Sequence, residues 1–241
     1  MRKPCTTPPK ARLSHLSPAA STNASPPDHS IHDPVLSTLG EEQCASLSTH
    51  LQANLPADLR DNIQLILVSP MRRTIDTALR SLGWLLDKGV PIQAHAGWQE
   101  NSDKPCDIGT PVPELEQLFP QVDFSHVDPV FPDKTSEAGA LYKYNRKAIL
   151  ARAQSVLADL SSRPEKAIAV VSHSAFLRQG VTGYWYFNAD YRIFDLAEVK
   201  QEEGQDPKYE LKQWELTKAG GMGLSWEDAV EVGTYLPEET V

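Results

Sequence analysis

Two short apolar runs constrain the fold of this chain more than any other feature. Residues 64–69 (QLILVS) and 167–171 (AIAVV) are rich in apolar, β-branched residues. Such short runs predict strands. The first run stops at Ser69-Pro70, where Ser can cap a helix and Pro can occupy its first turn. The pattern therefore predicts a strand followed directly by a helix.

Segments in which apolar residues recur at helical spacing lie before and between these predicted strands. Thr38 and Glu41 form a capping box, and apolar residues recur after it, which predicts a helix over about 38–54. A second apolar stripe follows the first strand, formed by Ile75, Leu79, Leu82 and Leu86. A long helix is predicted over about 137–161, and residues 191–199 and 209–216 alternate as a late strand hairpin. Strand and helix in alternation indicate an α/β fold with a mainly parallel sheet.

The 241 residues, 40% of them hydrophobic, suffice for one sizeable core. We expect residues 1–10 to form a disordered arm, because the amino-terminal region is rich in Ser, Thr and Pro. The same bias is also compatible with an organellar transit peptide. The domain is predicted over 11–218, followed by a solvated acidic tail over 219–241.

Charge and hydropathy argue against two classes of partner. The formal net charge is -9, which disfavours general binding to nucleic acid or to an anionic membrane. No apolar stretch reaches the roughly 18 to 20 residues of a membrane span, so we expect a soluble, cytoplasmic protein. The three cysteines are far apart and are expected to be reduced thiols, with no metal site.

Polar residues that are capable of binding a ligand follow both predicted buried strands. Arg73 lies in the first turn of the helix after residues 64–69, and His173 follows residues 167–171, with Ser174 able to cap the next helix. In an open parallel sheet, ligands bind at the carboxyl ends of the strands, where helix amino termini present free N–H groups. An arginine, a histidine and two helix amino termini at one edge predict an anion site, with phosphate as the default anion.

Five segments in a fixed order also resemble one known family. The chain is similar to the histidine phosphatase, or phosphoglycerate-mutase-like, superfamily in its fungal-type branch. The matching stretches are IHDPVLSTLGEEQC (31–44), LILVSPMRRTIDTAL (65–79), WQENSDKPCDIG (98–109), VVSHSAFLRQ (170–179) and FNADYRIFDL (187–196). The resemblance implies a three-layer α/β/α sandwich of the phosphoglycerate-mutase type.

The resemblance also implies a mechanism. Members use a neutral histidine as a nucleophile that takes the phosphoryl group, and water then hydrolyses the phosphohistidine. Carried over by motif, Arg73 is a phosphate-binding arginine, His173 is the second histidine and Glu100 protonates the leaving alcohol. This scheme needs no metal or organic cofactor, and it implies a small phosphorylated metabolite as the substrate.

The first histidine motif departs from the family pattern. His15 falls at the nucleophile position, but Ser14 stands where an arginine belongs and Leu16 stands where a small residue belongs. Three explanations remain open. Arg12 supplies the missing guanidinium from one pleat back, or a misread exon has altered the start of the protein, or the fold has acquired another role.

Two functions follow from these alternatives. The first is a phosphomonoester hydrolase that acts on a small organic phosphate, weakly because the first arginine is missing, with His15, Glu100 and His173 as catalytic residues. Arg73, His173 and Arg12 would then bind the substrate phosphate. The second is a repurposed or catalytically silent member that binds a metabolite or catalyses another reaction, for example in a secondary-metabolite pathway.

Overall fold

The computed structural model describes residues 28–199 and 208–238 in full and residues 10–15 as backbone. The strands are β1 (Lys10–His15), β2 (Ile63–Val68), β3 (Ile92–Ala94), β4 (Ala167–Val171), β5 (Tyr191–Val199) and β6 (Lys208–Gln213). The α-helices are α1 (Thr38–Asn54), α2 (Ala57–Arg60), α3 (Arg72–Leu86), α4 (Val112–Leu118), α5 (Arg146–Ser162) and α6 (Ser174–Phe176). A π-helix, Leu177–Thr182, continues α6.

One six-stranded sheet organises these elements in the order β3-β2-β4-β1-β5-β6. β1 and β2 both pair in parallel with β4, and β3 pairs in parallel with β2. β5 and β6 form the expected antiparallel hairpin at the other end. The prediction of a mainly parallel sheet in an α/β fold is therefore confirmed.

Helices cover both faces of the sheet and bury a core on each side. On one face, α1 and α3 pack over Ile66 and Val68 of β2. On the other face, α5 and α6 pack over Leu65 and Leu67. Because β2 buries both faces, its run of apolar residues does not alternate. Each fully buried Leu or Ile contributes roughly 1.5 to 3 kcal/mol of transfer free energy.

The helix predicted over about 38–54 is confirmed as α1 apart from its capping residue, whereas the start of a second predicted helix differs from the structure. The side chain that caps α1 is Ser37, which accepts from the backbone N–H of Gly40, so the cap lies one residue before Thr38. The helix predicted from about 137 begins only at Arg146, because the Asn145 side chain accepts from the N–H of Ala148 and ends the preceding loop. Local capping groups decide both boundaries.

The segment expected as a solvated acidic tail packs against the domain over 219–238. The buried carboxylate of Asp190 accepts from the N–H groups of Met222 and Leu224 and from the hydroxyl of Ser225. Leu236 is buried with α5 and α6. The prediction of a solvated tail was wrong here, because one buried carboxylate needs this segment as its hydrogen-bond donors.

The amino-terminal arm falls almost wholly outside the described residues. Only Lys10 of the expected arm is placed, as the first residue of β1. Within the described part of the chain, no helix combines the length and apolar character that a bilayer crossing requires.

Candidate active site

The carboxyl ends of three neighbouring strands form one edge of the sheet. Val171 of β4 pairs with Val68 of β2 and with His15 of β1. The backbone N–H of Ser69 donates to the carbonyl of Val171, 2.9 Å away. The residues that follow β2 and β4 therefore lie side by side, and the backbone of His15 ends β1 beside them.

His173 is buried at this edge with both ring nitrogens engaged. Its Nδ1 lies 3.1 Å from Nη2 of Arg73, and its Nε2 lies 2.9 Å from Oγ of Ser69. Because a guanidinium can only donate, Nδ1 accepts and Nε2 carries the proton that is donated to Ser69. Burial, together with the charge of Arg73, holds the pKa of His173 well below its ordinary value. The imidazole is therefore neutral at physiological pH.

Arg73 is held by three acceptors. Besides His173, its guanidinium donates to the carbonyl of Cys106 at 2.5 Å and to Oδ1 of Asp107 at 3.0 Å. Asp107 is itself oriented, because Ser102 donates its hydroxyl to Oδ2 at 2.6 Å. The side chains of Arg73 and Asp107 are only 12% and 17% exposed, so this pair is weakly screened by solvent. The guanidinium thus has a preorganised position facing His173.

Glu100 lies close to Arg73 and Asp107, at the amino terminus of α6. Its Oε1 accepts from the backbone N–H groups of Asn101, at 2.8 Å, and Phe176, at 3.1 Å. Burial, and then the negative charge of Asp107, raises the pKa of Glu100 above its ordinary value. The side chain therefore retains a proton to higher pH than an exposed glutamate does. Arg73, His173 and Glu100 are brought together, as the motif order predicts.

The polar residues beside the strand ends act differently from the sequence prediction. The sequence allowed Ser69 and Ser174 to cap α3 and α6, but the cap residues are Met71 and His173, and neither makes a side-chain cap hydrogen bond. Ser69 contacts His173 instead, and Ser174 donates to the carbonyl of Tyr186. Asp33 of the IHDP stretch accepts from the N–H of Arg72, the first residue of α3, and so supports the turn that carries Arg73.

Lys134 organises the loop that carries the acid, and sequence analysis missed it. It is 2% exposed, and its Nζ donates to the carbonyls of Glu100, Ser102 and Asp107 at 2.6 to 2.8 Å. Burial, with the nearby charge of Arg152, lowers the pKa of Lys134 to about 7. No motif surrounds this lysine in the sequence, so only the folded loop reveals its three acceptors.

We expect Lys134→Met to destabilise the protein by about 2 to 4 kcal/mol. The substitution leaves three buried carbonyls without their donor, and a buried unsatisfied group costs about 1 to 3 kcal/mol. Urea unfolding followed by circular dichroism measures the change in the free energy of unfolding. Lys104→Met is the matched control, because this exposed lysine lies on the loop that Lys134 holds. Equal stability of the two variants would contradict the role given to Lys134.

The first-motif candidates, Arg12 and His15, lie on β1, where only the backbone is described. Arg12 pairs with Ile168 and His15 with Val171, so Arg12 lies well back from the carboxyl edge. The roles given to the Arg12 and His15 side chains remain predictions.

A sequence profile of the histidine phosphatase superfamily (branch 1) matches residues 22–217, most of the chain. This chain belongs to the histidine phosphatase superfamily. The predicted family is confirmed, and the match begins after the divergent Ser14-His15-Leu16 segment.

Curated members of the superfamily are similar over part of their length. A probable phosphatase of Schizosaccharomyces pombe is 37% identical over 155 residues, covering 62% of this chain and 67% of that protein. A phosphoglycerate mutase-like protein of Arabidopsis thaliana is 31% identical over 186 residues, covering 62% and 65%. The chain thus spans about two thirds of the length of these relatives. Together, the family and these relatives indicate a phosphatase.

Among solved structures, the chain is similar to the mycobacterial glucosyl-3-phosphoglycerate phosphatase complexed with VO3. It is 15% identical, with 85% of this chain and 97% of that chain covered and a TM-score of 0.42.

Proposed function

We propose that this histidine phosphatase hydrolyses a small organic phosphomonoester through a phosphohistidine at His15. The observation that supports this most directly is the contact of Arg73 with His173 at the carboxyl ends of β2 and β4. A fixed guanidinium beside a neutral imidazole suits the binding of phosphate oxygens. Strand β1 ends with His15 at the same edge of the sheet.

The reaction would proceed in two balanced steps. Neutral His15 attacks phosphorus, the ester P–O bond breaks, and protonated Glu100 gives its proton to the departing alkoxide. Water then attacks phosphorus, the P–N bond to His15 breaks, and the Glu100 carboxylate takes a proton from that water, so that inorganic phosphate leaves and His15 is neutral again. Throughout, Arg73 would donate to the phosphoryl oxygens. Neutral His173 would also donate from Nδ1 in its other tautomer, in which Nε2 accepts from the Ser69 hydroxyl.

A trapping experiment tests the covalent step. Incubation with ³²P-labelled phosphomonoester, followed by quenching in alkali, should leave label on the wild-type protein, because a phosphorus–nitrogen bond survives base. Brief acid treatment should release this label, and His15→Ala should carry none. Labelling that persists in His15→Ala would place the nucleophile elsewhere.

The raised pKa of Glu100 predicts a pH dependence. Glu100 must be protonated to donate, so kcat/KM for an alkyl phosphate should fall as pH rises through its raised pKa. Glu100→Gln should lower kcat for alkyl phosphates by about a hundredfold or more and remove this alkaline limb. The burst rate of p-nitrophenolate release from p-nitrophenyl phosphate, measured before the phosphohistidine is hydrolysed, should fall much less, because p-nitrophenolate leaves without a proton. Equal losses on both ester types would contradict the assignment of Glu100 as the acid.

One observation favours the second candidate, a repurposed member that binds a phosphorylated metabolite without hydrolysing it. Ser14 replaces the arginine of the first motif, and the family match begins only at residue 22. This alternative predicts that inorganic phosphate binds at Arg73 while no ester is turned over. Calorimetry with phosphate, beside the ester assays, separates the two functions.

A further inference from the structure

An exposed group of aromatic side chains lies next to the candidate site. Trp185, Phe187 and Trp226 form what we call the aromatic platform. The indole rings of Trp185 and Trp226 stack with their centroids 4.5 Å apart, and Phe187 packs against Trp185 at 66°. Trp226 remains 57% exposed and Phe187 37% exposed. The platform therefore exposes aromatic surface to solvent.

Buried charged groups hold the two loops that carry this platform. The guanidinium of Arg192, which is fully buried, donates from Nη2 to the carbonyls of Trp185 at 3.0 Å and Trp226 at 2.5 Å. Ser225 donates its hydroxyl to Asp190 and accepts from the N–H of Phe187. The tryptophans, 41 positions apart in the sequence, are thus fixed relative to each other before any ligand binds.

Direct contacts connect the platform to the candidate site. Ser174, the neighbour of His173, donates its hydroxyl to the carbonyl of Tyr186, 3.1 Å away. Tyr186 lies between Trp185 and Phe187 in the chain, so both flank this contact. The platform loop then enters β5 at Tyr191, which pairs with His15. The platform therefore stands at the same edge of the sheet as His15 and His173.

A cation completes the surface. The guanidinium of Arg178 lies 5.9 Å from the centroid of the Trp226 ring. Stacked indoles beside a guanidinium favour planar π-systems over saturated groups of equal size, because ring quadrupoles and the cation interact with a flat π-face.

We propose that the aromatic platform binds the organic group of the substrate, and that this group carries a planar aromatic ring. The proposal rests on the proposed phosphatase function, which supplies the phosphate end of the same ligand. The substrate class is then an aromatic phosphomonoester, with its phosphate at Arg73 and His173 and its ring on Trp226.

A pair of esters with equal leaving groups tests the proposal. 3-Phenylpropyl phosphate and 3-cyclohexylpropyl phosphate differ in planarity but release similar primary alcohols. The wild-type protein should show a KM about tenfold lower for the phenyl ester, with similar kcat values. Trp226→Ala should raise KM for the phenyl ester about tenfold and leave KM for methyl phosphate unchanged. Leu118→Ala, which removes an exposed apolar side chain from α4, is the control.

The outcomes separate this inference from the proposed function. Equal KM values for the two esters, together with unchanged KM values in Trp226→Ala, would overturn the aromatic substrate class but not the proposed hydrolysis. If no ester is hydrolysed, quenching of tryptophan fluorescence by 3-phenylpropylphosphonate, lost in Trp226→Ala, would support the platform although the phosphatase proposal fails. A sedimentation coefficient that falls in Trp226→Ala, with unchanged KM, would overturn the inference by showing a second copy on this surface.

Discussion

Replacing Arg73 by alanine is expected to lower kcat/KM for p-nitrophenyl phosphate by about a hundredfold to a thousandfold. A preorganised cationic donor at a developing charge is worth roughly 3 to 4 kcal/mol of transition-state stabilisation. Arg73 is positioned by Cys106 and Asp107 and directed at His173, so it meets this condition without reorganisation. Steady-state kinetics measures the loss.

Arg80→Ala on the same helix is the matched control for Arg73→Ala. The Arg80 side chain is 45% exposed and pairs with Glu41 at 2.7 Å, away from the strand ends. We expect its kinetics to remain within about twofold of wild type. Arg73→Lys should recover only part of the activity, because one ammonium cannot reproduce the guanidinium fork. A folded Arg73→Ala protein with full activity would exclude a phosphate site at this position.

Restoring the missing arginine is expected to have the second large effect. Ser14→Arg, combined with Leu16→Gly to relieve crowding, should raise phosphatase turnover by at least about tenfold, because it adds a cationic donor beside His15. In the backbone register Ser14 pairs with Val170, one residue before the carboxyl end of β4. Adding His15→Ala to the double variant should abolish the gain.

The same experiment discriminates among the explanations for the divergent motif. If Arg12 supplies the guanidinium, Arg12→Ala should reduce the wild-type activity by tenfold or more, and the Ser14→Arg variant should tolerate that change. If the fold has been repurposed, the double variant should fold without gaining activity on any ester. That result would make metabolite binding the better account of the protein.

The local sequence sufficed to predict the architecture that creates the site. Residues 65–68 and 167–171 form buried strand because no polar side chain interrupts either stretch. Parallel strands end at a common edge, so Arg73 and His173 could be placed together from their positions after these runs. Glu100 could not be identified from spacing alone, because its loop has no periodicity. Only the family resemblance pointed to it.

Tertiary structure alone decided which groups hold the site in place. Lys134 binds three carbonyls of the 100–107 loop, and Asp190 ties the carboxy-terminal segment to the domain. Trp185 and Trp226 are distant in the sequence. They are held close enough to stack because the guanidinium of Arg192 donates to the backbone carbonyls of both. The sequence determined strands, helices and strand-end chemistry because these depend on spacing along the chain. The clamps and the aromatic platform depend on contacts between distant segments, and hydrophobic periodicity carries no record of them.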